Sequence, residues 1–296
     1  MRLDDRVRAT LMHATARWTV RYGDDLRFAG SDLPAPERIR VPTRYGHVPA
    51  HVYRDPSWGP GPRPAYVHFH GGALLMRYPE MDDFWCRYLV AQAGVVVVNV
   101  DFRAGPYVSY PVAQHECHDA AAWVAAHGAQ VGVVGDRVAV GGLSSGGGLA
   151  ASVCLQARDR GSFRPVLQVL GVPALDVASE PEPGPGMVSP GLRRLVRRVY
   201  FPDPESRREP YASPVFAPDL TDLPPAVLLT AERDTLRVES DLYMARLRDA
   251  GVRVVHDTTP DADHYFLSDD LVRAAGTMAM VARQVRKHTS DPVSGG

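Results

Sequence analysis

Three side chains, far apart along the chain, are of the types that together activate a serine. Ser144 is the centre of Gly142-Leu143-Ser144-Ser145-Gly146, which follows the β-branched run Arg137–Val140 and precedes the small residues Gly147-Gly148-Leu149-Ala150-Ala151. A Gly-x-Ser-x-Gly between a strand and a helix predicts a nucleophile elbow, a turn that lifts the serine Oγ above the end of a sheet. Such a turn leaves no room for flanking Cβ atoms, hence its glycines. A serine hydroxyl attacks poorly until a base takes its proton, and the base needs an orienting group. Asp234, behind Ala226–Thr230, and His264, in Asp261-Ala262-Asp263-His264, each follow a strand-like segment. They occur in the order serine, acid, histidine that such elbows use. Alone, Asp234 could cap the helix beginning at Thr235, and His264 could be an ordinary loop histidine. Together, in order, they predict a triad, with Glu232 and Asp263 as lesser rivals for the carboxylate.

Attack on a carbonyl creates an oxyanion, and each preorganised N–H donor aimed at it is worth roughly 10²- to 10³-fold in rate. His70-Gly71-Gly72-Ala73, directly after the strand-like Ala65–Phe69, is a glycine loop of the kind that supplies such donors. The N–H groups of Gly71, Gly72 and Ser145 are expected to form the hole, and His70 to hold the loop.

These groups need elements to position them. Strands are predicted at Arg38–Val41, His47–Tyr53, Ala65–His70, Val95–Val100, Arg137–Val140, Val166–Gly171, Ala226–Thr230 and Val252–Thr258. Val95–Val98 and Ala226–Leu229 are continuously apolar, as strands covered on both faces should be. Helical patterns alternate with them at Met81–Ala93, Val112–His127, Gly148–Asp159, Arg237–Ala250 and Asp270–His288, which specifies an α/β fold with a mostly parallel sheet. Residues 4–22 read as an amphipathic helix with Val7, Leu11, Ala14 and Trp18 on one face and Arg6, Arg8, Arg17 and Arg21 mostly off it. Residues 178–215 break the alternation with a Pro/Gly-rich stretch and a short helix. Leu192, Leu195, Val196, Val199 and Tyr200 take one face of that helix; Arg193, Arg194, Arg197 and Arg198 take the other, expected to be a solvated face, with an anionic substrate as the alternative partner.

A formal net charge of −1 over 296 residues argues against nucleic acid as a partner. Cys86, Cys117 and Cys154 show no paired spacing, which fits a reduced, cytoplasmic protein. No stretch has the apolar core of a signal peptide or the length of a membrane span, so no membrane partner is expected. Gln114–Asp119 contains ligand-type side chains, but adjacent helical positions point apart and only His115 with His118 or Asp119 would share a face. His68-x-His70 has a strand position for its first histidine, and Gly146–Gly148 lacks the Lys-Ser/Thr of a phosphate loop. Neither metal nor cofactor is expected.

Over residues 35–285 the sequence resembles the hormone-sensitive-lipase-like branch of the α/β-hydrolase superfamily. His70–Ala73, Asp101-Phe102-Arg103-Ala104-Gly105-Pro106, the elbow, Ser213-Pro214 with Leu223-Pro224-Pro225, Asp234-Thr235-Leu236-Arg237 and His264-Tyr265-Phe266 carry the resemblance, in the family's order. It implies an α/β-hydrolase core of about eight strands (36–177 and 216–290) beneath a cap from 1–35 and 178–215, with a disordered tail at 291–296. It further implies a Ser144–His264–Asp234 triad without metal and a carboxylesterase acting on small-molecule esters of short to medium chains. Leu74, Leu143 and Tyr265 are expected at the substrate, and a homodimer is an open possibility of the family. Four positions depart from the family pattern: Ala73 replaces a glycine, Leu143 an acidic residue, Tyr107 a glutamate and Tyr265 a glycine. These departures motivate an alternative with the same triad, an acyltransferase, thioesterase or cyclase of specialised metabolism. A binding protein on a hydrolase scaffold is the remaining alternative.

Overall fold

The continuously apolar runs lie inside an eight-stranded sheet, and the residues that could do chemistry gather at its carboxyl edge. The computed structural model describes residues 2–20, 24–181 and 186–290. Its elements are, in order, α1 (Leu3–Thr19), β1 (Glu37–Thr43), β2 (Gly46–Tyr53), β3 (Arg63–Phe69), α2 (Asp83–Ala93), β4 (Val96–Val100), α3 (Val112–His127), β5 (Val133–Leu143), α4 (Ser145–Arg160), β6 (Gln168–Gly171), α5 (Pro190–Val199), β7 (Ala226–Ala231), α6 (Arg237–Asp249), β8 (Val254–Thr259), α7 (Phe266–Asp269) and α8 (Leu271–Ser290). The strand order is β1-β2-β4-β3-β5-β6-β7-β8. β1 pairs with β2, and β2 with β4, antiparallel; all later neighbours are parallel.

Successive strand side chains point to opposite faces, so a strand rich in valine feeds two cores at once. In β4, Val96, Val98 and Val100 join one apolar cluster and Val97 the other. The first cluster includes Ala121 and Val124 of α3, Leu149 and Val153 of α4, and Tyr243 and Leu247 of α6. The second includes Trp85 and Leu89 of α2 and Val281 and Val285 of α8.

The apolar stripe of α1 faces away from the core, and one expected face is corrected. On α1 the buried residues are Asp5, Ala9 and Ala16, while Val7, Leu11 and Trp18 are exposed. The small alanines let α1 lie close against Leu75, Leu195 and Val199, and the Asp5 carboxylate is paired by Arg198 through two bonds of 2.7 Å. That guanidinium holds the Asp5 carboxyl below its ordinary range. Periodicity located the apolar stripe but could not say which side of the helix would be covered. The arginines of α5 are less solvated than expected: Arg193 and Arg197 are mostly covered, whereas Arg194 stays exposed. Arg193 bonds Glu239 and the Asp176 carbonyl, Arg197 bonds Glu180 and the Ala178 and Ser179 carbonyls, and Arg194 reaches Glu180. The expected tail at 291–296 and residues 182–185 of the 178–215 segment lie outside the described residues.

Candidate active site

β5 runs longer than its β-branched core and delivers the chain directly into the elbow. Leu143 is its last residue and α4 begins at Ser145, not at Gly148. The glycines make this possible. A Cβ on Gly146 would sit 1.8 Å from the Phe69 carbonyl oxygen, and one on Gly142 would sit 2.3 Å from that same atom. Ser144 itself takes φ 56°, ψ −121°, a conformation that costs on the order of 1–3 kcal/mol and persists only where the surroundings enforce it. Its N–H donates to the Gly171 carbonyl at 2.8 Å, and its own carbonyl accepts from Ala174 and Gly148.

The structure brings Ser144, His264 and Asp234 together. Ser144 Oγ lies 2.8 Å from His264 Nε2, and His264 Nδ1 lies 2.8 Å from Asp234 Oδ2. With Nδ1–H donating to the carboxylate, Nε2 is left to accept the serine proton. Asp234 combines both of its sequence-level readings: its Oδ1 also accepts the Leu236 N–H at the entrance to α6. The rival carboxylates are engaged with backbone. Glu232 accepts from Asp261 N–H, and Asp263 from His264 and Met187 N–H groups.

The glycine loop differs from expectation at one residue. Gly71 lines the same cavity, but its N–H is turned to Asp82 Oδ2 at 3.3 Å. Gly72, Ala73 and Ser145 also line the cavity, and among the described residues their backbone N–H groups meet no protein acceptor. Ala73 takes the place expected of Gly71, and its N–H is unaffected by a Cβ. What alanine changes is strain, since it sits at φ 56°. Ser145 opens α4, whose first N–H groups and dipole favour negative charge.

A buried pair beneath the loop went unseen in the sequence. His68 Nε2 donates to Asp82 Oδ2 at 2.9 Å, and neither side chain is exposed. Asp82 therefore receives two donors on one oxygen, one from β3 and one from the loop. His70 stacks on Phe102 with ring centroids 4.3 Å apart and bonds the Gly71 carbonyl at 2.7 Å; burial pushes its pKa down to about 4, so it stays neutral. Arg77 clamps Asp101, and Arg103 pairs with Glu116. In the helical segment that carries ligand-type residues, Glu116 is thus taken, Asp119 pairs with Arg44, His118 bonds Ser162 and His115 bonds Tyr45.

Leu74, Leu143 and Tyr265, the expected substrate contacts, all line the cavity in front of Ser144. Leu149, Leu192 and Val196 add apolar wall, and Asp176, Arg193 and Glu239 add charge. Burial raises Glu239 to about 7 even with the Arg193 guanidinium 2.7 Å away. Tyr107 lies outside this lining and packs edge-on against His13.

This arrangement can run acyl transfer: a nucleophile with a base, an oriented base, and convergent N–H donors. Comparison with known proteins agrees. A family model described as alpha/beta hydrolase fold matches residues 66–268. The carboxylic ester hydrolase LipN of Mycobacterium tuberculosis is 31% identical over 303 aligned residues, covering 97% of this chain and 78% of that protein. The solved esterase of Pyrobaculum calidifontis superposes with a TM-score of 0.84 at 33% identity, covering 96% of this chain and 93% of that one. A thermophilic carboxylesterase cloned from a metagenomic library gives 0.84 at 28% identity, over 96% of this chain and 97% of that one. The sheet, the elbow and these relatives agree: the chain belongs to the hormone-sensitive-lipase-like branch of the α/β hydrolases.

Proposed function

We propose that the protein is a serine carboxylesterase that hydrolyses small-molecule esters of short to medium chains, with Ser144 as nucleophile, His264 as base and Asp234 as orienting carboxylate. The observation that carries this is the continuous hydrogen-bonded line from Ser144 Oγ through His264 to Asp234, 2.8 Å at each step. His264 Nε2 takes the proton as Oγ attacks the carbonyl carbon, and Asp234 stabilises the imidazolium that forms. The oxyanion is met by the N–H groups of Gly72, Ala73 and Ser145. His264 then protonates the departing alcohol, and water repeats the sequence on the acyl-enzyme. The triad and the donors all come from one chain, so the chemistry does not require a dimer.

The chain-length assignment is supported by the cavity lining. Leu74, Leu143 and Leu149 suit an acyl chain, but Asp176 and the Arg193–Glu239 pair share the same wall. A long alkyl chain would desolvate those charges without replacing their partners. We assign segments 1–35 and 178–215 to a cap over a core of 36–177 and 216–290; the presence of Val20, Leu192, Arg193 and Val196 in the lining supports this. Three buried, unpaired cysteines support a reducing, cytoplasmic location. The test is hydrolysis of p-nitrophenyl esters from acetate to palmitate. Turnover should peak at the short end and fall away beyond medium chains; a maximum at palmitate would overturn the assignment of chain length.

A further inference from the structure

Among the described residues, no helix is long and apolar enough to cross a membrane. α1 nevertheless carries a surface that water does not suit. Leu3, Val7, Leu11 and Trp18 leave 79%, 59%, 62% and 56% of their surfaces exposed. At 100° per residue these four and Ala14 fall within about 80° of the helix circumference, a continuous stripe and not scattered apolar residues. The opposite face is the one that docks on the protein, through Ala9, Ala16 and the Asp5–Arg198 pair. The outward stripe therefore has no partner within the described chain.

The residues bordering the stripe say what would cover it. On the helical projection Arg6 and Arg17 line one edge, and Arg8 with Asp4 the other. All three arginines are exposed, and among the described residues none is within ion-pair distance of a carboxylate. The Arg17 guanidinium lies over the Trp18 ring, 4.0 Å from its centroid. An apolar stripe with a tryptophan at one end and arginines along its borders matches the interface between acyl chains and anionic headgroups. A second protein copy would present this same cationic border to itself.

We infer that the outer face of α1 docks on an anionic phospholipid bilayer surface, lying in the interface without spanning it. Such a surface is what the cytoplasmic leaflet offers. Docking would bring to the lipid the C-terminal end of α1, where the chain joins the lining of the catalytic cavity. Val20, two residues beyond Trp18, lines that cavity, as does Met187, itself about half exposed. His13, on the same helix, bonds the Leu75 and Gly105 carbonyls beside the glycine loop, so α1 is fixed to the site it would carry to the surface.

The test is co-sedimentation of the Ser144→Ala protein with vesicles of phosphatidylcholine alone or of equimolar phosphatidylglycerol and phosphatidylcholine. Binding is read without turnover, so failure of the esterase assignment leaves this result interpretable. With each border arginine worth about a fivefold gain near an anionic surface, partition should favour the anionic vesicles by ten- to a hundredfold and fall in high salt. Val7→Glu with Leu11→Glu should abolish it, while leaving the melting temperature and, in the Ser144-containing chain, hydrolysis of soluble p-nitrophenyl butyrate unchanged. No binding, equal binding to both vesicle types, or binding indifferent to the double substitution would overturn the inference. So would a lipid-free dimer, seen by light scattering, that the double substitution dissolves.

Discussion

Replacing Asp82 by asparagine tests whether the glycine loop is held by charge. One oxygen, Asp82 Oδ2, accepts from His68 Nε2 at 2.9 Å and from Gly71 N–H at 3.3 Å, with both side chains sealed from solvent. The other oxygen, Oδ1, has no hydrogen-bond partner among the described residues. An asparagine can place its carbonyl where Oδ2 was, but its NH2 then occupies a position without an acceptor. A bond to a charged group contributes about 1.5–3 kcal/mol and a neutral one about 0.5–1.5, so the exchange loosens the loop by roughly 1–2 kcal/mol. If that slack falls on the transition state, where Gly72 and Ala73 must meet the oxyanion, kcat drops about 5- to 30-fold. KM should change little, because the ground-state carbonyl draws weakly on the hole. The assay is steady-state hydrolysis of p-nitrophenyl butyrate, together with binding of a trifluoromethyl ketone whose adduct carries the oxyanion. The ketone should weaken in step with kcat. A variant with a lowered melting temperature but unchanged kcat and ketone affinity would refute the reasoning and leave Asp82 a purely structural residue.

Two further outcomes follow from strain and burial. Ala73 sits at φ 56°, where an L-residue pays about 1 kcal/mol; Ala73→Gly should raise the melting temperature by about one to two degrees and leave kcat within about twofold, and a fall in stability would contradict it. Burial raises the Glu239 carboxyl from 4.5 to about 7. Between those values the native state holds a proton that the unfolded chain has released, so the stability this contributes is complete below about pH 4.5 and is lost as pH rises through 7. Unfolding by urea at pH 5 and pH 8 should show a decline of at most about 3 kcal/mol in the parent that Glu239→Gln lacks; equal slopes would refute it.

Much of this was legible in the sequence, for physical reasons that differ by element. The central strands could be read because valine and leucine without interruption have few uses other than a doubly covered strand, and β4 and β7 lie where those runs predicted. The elbow was legible because its glycines answer a steric demand that reduces to spacing. The face of α1 was not, since amphipathic periodicity is symmetric between a stripe that meets the core and one that meets something else. The α5 arginines looked like a solvated face because their partners, Asp5, Glu180 and Glu239, lie elsewhere in the chain. The Asp82–His68 pair was invisible for a similar reason: fourteen residues separate the partners, and neither belongs to a motif. Gly71 was assigned to the hole by its residue type, whereas the direction of an N–H depends on the loop's path over Asp82.

The measurement closest to the central claim is labelling by a fluorophosphonate probe with ester turnover, on the parent and on Ser144→Ala. The account predicts stoichiometric labelling at Ser144 and turnover of short p-nitrophenyl esters. In the variant both should vanish while the melting temperature is retained. Labelling at another residue, or substantial turnover in a folded Ser144→Ala protein, would contradict it.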